Sequence, residues 1–148
     1  MAIEYDHASG ESPGGSFGRF DPLLGMRRQD LAPAGLYNTI SRTNLISPGV
    51  RIEAVPDAKS DLMVSYRPFW LAARQDAFSS SAVRNAAGNS GNFAGHQIDA
   101  RLRYLLFPTL RLEADVVLLA KGRFLLDAPN APTGRWTRYL SLNATFAF

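Results

Sequence analysis

The sequence predicts an all-β fold, an antiparallel up-and-down transmembrane β-barrel of which this chain supplies about the last six strands. Three observations predict it. Apolar and polar residues alternate with a period of two over stretches of about ten residues. The connections between these stretches are short and long in strict alternation. The chain ends in an alternating strand with aromatic residues, Tyr139 to Phe148.

The first expected strand lies near residues 1–8, where Ile3 and Tyr5 alternate with polar neighbours as a truncated strand. The second lies near 45–55, with Val50, Ile52 and Ala54 set against Arg51 and Glu53. A turn at Pro56-Asp57-Ala58-Lys59 leads to a third near 60–73. There Leu62, Val64, Tyr66 and Trp70 oppose Asp61, Met63, Ser65 and Arg67. Pro68 cannot donate to a ladder and predicts a bulge.

The fourth and fifth strands, near 95–106 and 110–121, form the clearest hairpin. A short turn at Phe107-Pro108-Thr109 sets the register, with Leu106 expected opposite Leu110. Arg103 then meets Glu113 and Arg101 meets Asp115, while Tyr104, Leu102 and Ala100 meet Leu112, Ala114 and Val116. One face becomes a ladder of opposite charges and the other is apolar. The last strand, near 136–148, turns Leu140, Leu142, Ala144, Phe146 and Phe148 one way.

The long connections, at about 9–44, 74–94 and 122–135, are rich in Gly, Pro, Ser and Asn. Outer-membrane barrels have short periplasmic turns and long extracellular loops, and this parity points the final strand inward to the periplasm. Trp70 and Trp136 then fall near the outer interface, and Tyr104, Phe107, Phe146 and Phe148 near the inner one. The same alternation also describes a soluble sandwich or a lipocalin-like barrel. Strand length, loop asymmetry and the aromatic terminal strand favour the membrane.

Composition narrows the classes further. Mean hydropathy is −0.11, and no run of eighteen apolar residues exists to form a transmembrane helix. Without cysteine there is no disulfide, zinc-thiolate site or thiol nucleophile. A net charge of +3 without a Lys/Arg-rich run gives no support for nucleic acid. His7 and His96 are the only histidines, and G-x-S-x-G is absent, so neither an enzyme nor a metal site is expected, and no cofactor. Met1 to Gly10 shows no signal peptide, which an exported protein requires, so the chain reads as a fragment of a larger barrel.

The connecting segments carry a resemblance. Gly18-Arg19-Phe20-Asp21-Pro22-Leu23 is followed by Arg27-Arg28, Gly35-Leu36-Tyr37, Arg42 and Asn44, and Ser47-Pro48-Gly49. Tyr66-Arg67 and Trp70-Leu71 come next, then Gly95-His96-Gln97, Arg101 and Arg103-Tyr104. Last is Lys121-Gly122-Arg123-Phe124 leading to Asp127-Ala128-Pro129-Asn130-Ala131-Pro132. In these segments the chain resembles the C-terminal half of the alginate-export family of outer-membrane porins. The resemblance implies a single-chain barrel of about eighteen strands that conducts an anionic polysaccharide. The basic segment Thr133-Gly134-Arg135-Trp136 departs from the acidic character expected there.

With the polar face as the lumen, Arg51, Arg67, Arg101, Arg103, Arg111 and Lys121 stand against Glu53, Asp61, Asp99, Glu113 and Asp115. Arg101 and Arg103 read first as a structural ladder with Asp115 and Glu113. Arg51, Arg67, Arg111 and Lys121 have no evident partner and are the better candidates for touching carboxylates. At the mouth, the first long connection carries Arg19, Asp21, Arg27, Arg28 and Asp30, and a lid and a solvated loop are equally expected. Phe20 and Leu23-Leu24 would anchor it, and Arg123 sits at the rim.

The function expected is passive export of alginate or a similar anionic polysaccharide. The alternatives are a general anion porin and a barrel whose loops act as a receptor or adhesin. The expected partners are that polymer, the lipid bilayer, the missing N-terminal strands of the same barrel, and the outer-membrane assembly machinery. The terminal strand resembles the signal that this machinery recognises.

Overall fold

The computed structural model describes residues 1–12, 14, 18–20, 31 and 40–148. Six antiparallel strands form one open sheet in chain order. They are β1 (Ala2–Ala8), β2 (Leu45–Asp57), β3 (Ser60–Trp70), β4 (Phe93–Phe107), β5 (Leu110–Lys121) and β6 (Trp136–Phe146). A short helix, α1 (Arg123–Asp127), lies in the last long connection, where the sequence predicted a loop. Its Phe124 and Leu125 are buried.

The strands are long enough to span a membrane. The 12 residues of β5 extend about 40 Å at ~3.3 Å each, or roughly 28 Å along the normal at a tilt near 45°. Alternation then sorts the side chains. On one face Ile52, Val64, Ile98, Val116, Leu140 and Leu142 are exposed. On the other lie nearly all the charged residues of the strands, with Arg67, Asp99 and Asp115 buried. A soluble domain rarely exposes so wide an apolar surface, whereas lipid accepts it.

The register of the β4–β5 hairpin pairs Arg103 with Glu113, Arg101 with Asp115, and Tyr104, Leu102 and Ala100 with Leu112, Ala114 and Val116. At the turn the expectation fails. Leu105 pairs with Arg111 and Phe107 with Leu110, so Leu106 is the extra residue of a bulge and has no partner across the hairpin.

Pro68 keeps its place opposite His96 on β4, and the irregularity on that side comes between Phe69 and Trp70. Toward β2 the ladder is interrupted between Val50–Tyr66 and Ile46–Trp70, where Pro48 and Pro68 stand in facing positions. Neither proline has an N–H to give.

The short turns are locally determined. In the β2–β3 turn the Asp57 carboxylate accepts from the Lys59 amide at 2.8 Å and the Ser60 hydroxyl at 3.0 Å. These bonds, the amide first, hold its carboxyl below the ordinary range. The Leu105 amide donates to Lys59 O at 2.8 Å and joins the two turns.

The buried apolar cluster sits at the opposite end, among the long connections. Leu31, Ile40, Leu45, Phe69, Leu71, Phe78, Val83, Phe124 and Leu125 pack there against Val117 and Leu119 of the sheet.

Candidate functional site

The charged face is built by alternation on β1 to β5. Most of its cations are already engaged. Arg67 is 3% exposed and reaches across β2 to Glu4 and to Asp6, the latter at 2.7 Å. Arg51 pairs with Glu4 at 3.1 Å and Glu53 at 3.4 Å. Arg42 joins Asp6 at 2.6 Å. An alternating chain results, Arg42–Asp6–Arg67–Glu4–Arg51–Glu53, lying across three strands.

Gly49 makes this crossing possible. A Cβ there would stand 2.9 Å from Arg67 Cγ and 3.1 Å from Cζ. Its φ is not in the left-handed region, so close approach, not backbone conformation, accounts for the glycine. The expectation that Arg51 and Arg67 lack partners is therefore corrected. Both reach carboxylates on β1, whose Glu4 and Asp6 stand outside the expected lumen set, and Arg51 also meets Glu53 of its own strand. The alternation of Ile3 and Tyr5 would have placed Glu4 and Asp6 in that set.

The ladder on β4 and β5 also differs from expectation in part. Arg103 pairs with Glu113. Arg101 faces Asp115 in register but pairs with Asp61 of β3 at 3.2 Å. The two carboxylate oxygens of Asp115 are buried without a hydrogen-bond partner among the described residues. Beside them, Asp99 accepts from Ser65 Oγ at 2.8 Å and Gln97 Nε2 at 3.3 Å. Lys121 donates to the carbonyls of Pro132 at 2.6 Å and Thr133 at 3.3 Å, which anchors the last long connection. Arg111 is exposed at the turn end and pairs with no carboxylate among the described residues.

At the other end the long connections are bound to one another. Asp76 is 2% exposed and accepts from the Glu11 amide at 2.9 Å and from Arg19 at 3.5 Å. Arg19 also donates to Ser79 O at 2.7 Å, and Ser79 Oγ donates to Ser41 O at 2.7 Å. Asn44, fully buried with φ +46°, donates to Ala73 O at 3.0 Å and Ala77 O at 2.9 Å, and accepts from the Ala73 amide at 2.7 Å. Asn130 ties the last connection to the middle one through Ala82 O and the Arg84 amide, both at 2.9 Å. The first connection also touches the wall, for Gln97 Nε2 donates to Leu31 O at 2.9 Å. Arg19 is thus a fastening residue. Arg123 is exposed and pairs with Asp127 at 3.3 Å within α1. Phe20 is 49% exposed and Leu31 is the buried anchor. Asp21, Leu23-Leu24, Arg27, Arg28 and Asp30 lie outside the described residues.

The Asp76–Ser79–Asn44 fastening was not legible in the sequence pattern. An asparagine in a left-handed conformation leaves no mark in hydropathy patterning.

This arrangement is a wall, lipid-compatible on one side and charged on the other, with joined connections at one end. No group of acidic or histidine residues that would hold a metal occurs among the described residues. A search of curated proteins and a search of solved structures return no match. A family model described as alginate export matches residues 1–137. The chain therefore belongs to the alginate export family of outer-membrane export porins.

Proposed function

We propose that this sheet is part of the closed wall of an outer-membrane channel that passively conducts alginate or a similar anionic polysaccharide. The observation that carries the reading is the division of the sheet into an exposed apolar face and a charged face. In an outer-membrane porin the first meets lipid and the second meets a water-filled lumen. β1 and β6 each leave an edge unpaired among the described residues. Such edges are untenable in lipid, so we read each as paired with further strands of the same barrel.

Within the lumen, Arg111 is the cation in the best position to meet polymer carboxylates, since it is exposed and uncommitted. Arg51, Arg67, Arg101 and Arg103 shape and brace the path while engaged with their own carboxylates. Weak, repeated contacts suit conduction, because a polymer held tightly at each step does not advance. The joined long connections we place at the outer mouth, where Leu31 against Gln97 supports a lid folded onto the inner wall. The orientation also gives β6 the periplasmic end at which the assembly machinery reads a barrel.

Planar-bilayer recording on the protein tests this. Polyuronate added to one chamber should interrupt the current, and neutral dextran of equal length should not. Arg111→Glu should shorten the polyuronate events. Equal effects of both polymers would sink the polysaccharide assignment and leave a general anion porin.

A further inference from the structure

The apolar face carries one anomaly. It lies in two rows near the long connections. Pro68, His96, Ala120 and Trp136 stand in one row, and Tyr66, Ile98, Leu118 and Arg138 in the next. Below them the rows are apolar, from Val64, Ala100, Val116 and Leu140 onward. Arg138 is the one Arg, Lys, Asp or Glu on this face of the strands between the turns, among the described residues. It is exposed and pairs with no carboxylate among them.

Its depth is informative. Arg138 and Phe146 share the face on β6. The eight steps between them cover about 26 Å at ~3.3 Å each, or roughly 20 Å along the normal at a tilt near 40°. The apolar band of such barrels is about 25 Å tall. If Phe146 marks one interface, Arg138 sits just inside the other and Trp136 at it. An arginine at the midplane is strongly disfavoured, but near an interface it extends its head to the phosphate level.

The neighbours complete a site. Ala120 separates His96 from Trp136, so the two residues stand two strand spacings, about 10 Å, apart with only a methyl side chain between them. The His96 ring is held from behind. It stacks on Tyr66 with centroids 5.9 Å apart, meets Phe93 edge-on at 4.8 Å, and its Nδ1 lies 2.7 Å from Tyr66 Oη. With Tyr66 donating, Nε2 keeps its proton as a donor.

We propose that Arg138, His96 and Trp136, set around Ala120, bind the phosphate of an anionic lipid in the leaflet at the loop end of the barrel. This rests on the reading of the apolar face as the lipid face. Arginine matches phosphate with two parallel hydrogen bonds, and the rings flank the headgroup.

The test uses the protein as a folded barrel in a neutral maltoside detergent. Native mass spectrometry compares retention of phosphatidic acid and of phosphatidylcholine with the same chains. Wild type should retain one phosphatidic acid preferentially. Arg138→Gln should lower that retention about tenfold, as loss of a bidentate contact predicts. Ala120→Trp, which places a bulky ring between His96 and Trp136 and leaves the charge, should lower it as well. Both variants should keep the fast gel mobility of a folded barrel. Unchanged retention in both variants overturns the proposal. Displacement of the lipid by millimolar inorganic phosphate overturns the lipid as its source. Failure of the underlying reading shows separately: brominated acyl chains would then quench the wild type and Trp136→Phe to the same extent.

Discussion

Gly49→Ala should destabilise the protein, and the same change should be harmless once Arg67 is gone. The added Cβ would stand 2.9 Å from Arg67 Cγ, 3.1 Å from Cζ and 3.2 Å from Nε. Real Cβ atoms are seldom that close to a neighbour, so the guanidinium has to give way. It cannot do so freely, because it is 3% exposed and engaged by Glu4 and Asp6. Overpacking of this size costs about 1–3 kcal/mol, and a loosened charge-assisted bond adds about 1 kcal/mol. Against this, alanine is better than glycine in a strand by roughly 0.5–1 kcal/mol. Gly49→Ala should therefore cost about 2 kcal/mol in the wild-type background. With Arg67→Ala the obstruction is absent, and Gly49→Ala should be neutral or stabilising by up to ~1 kcal/mol. Urea unfolding of the barrel in detergent micelles, read by tryptophan fluorescence, gives all four corners of the cycle. An equal cost in both backgrounds would refute the idea that Gly49 exists to let Arg67 cross.

The remaining expectations are briefer. Asn44→Ala removes three hydrogen bonds at a buried residue in a left-handed conformation; it should cost about 2–4 kcal/mol and open the long connections to proteolysis while the strands stay protected. Asp115→Asn should be neutral or stabilising by ~1 kcal/mol, since the buried carboxylate lacks hydrogen-bond donors among the described residues; a large loss in urea unfolding would mean that Asp115 is an essential ion-pair partner. Arg111→Gln should leave stability within about 0.5 kcal/mol and shorten polyuronate events in bilayer recordings, whereas Arg103→Gln should lower stability, because Glu113 loses its cation. Because the folded-state pKa of Asp57 is depressed, its support of the β2–β3 turn is present above the ordinary carboxylate range and is lost as pH falls through the folded value. Asp57→Asn should flatten the acid limb of a stability–pH profile.

What the sequence discloses depends on how far apart the partners lie in the chain. The Arg103–Glu113 rung follows from a turn of a few residues, because a short turn leaves few registers. The Arg67–Glu4 and Arg67–Asp6 pairs span more than sixty residues and a long connection, and no local rule links them. Arg101 shows an intermediate case: its place opposite Asp115 was readable, yet its partner is on the other neighbouring strand. Alternation fixes the face of a side chain and leaves open which neighbour it chooses. Arg138 was within reach of the same alternation, since it continues the row of Leu140 and Leu142. α1 was not, for a helix of 5 residues carries too little periodicity to separate it from a loop.

The wall is made of two materials laid end to end. On β4 and β5, toward the short turn, the charged face is held by the Arg103–Glu113 and Arg101–Asp61 pairs in contact with water, and these soften as salt rises. Toward the long connections Phe69, Val117 and Leu119 belong to an apolar cluster with Phe78 and Phe124, which salt does not weaken. High ionic strength should therefore loosen one end of the same strands and spare the other. Amide exchange along β5 would show a gradient, steepening with salt, from Leu110 toward Lys121.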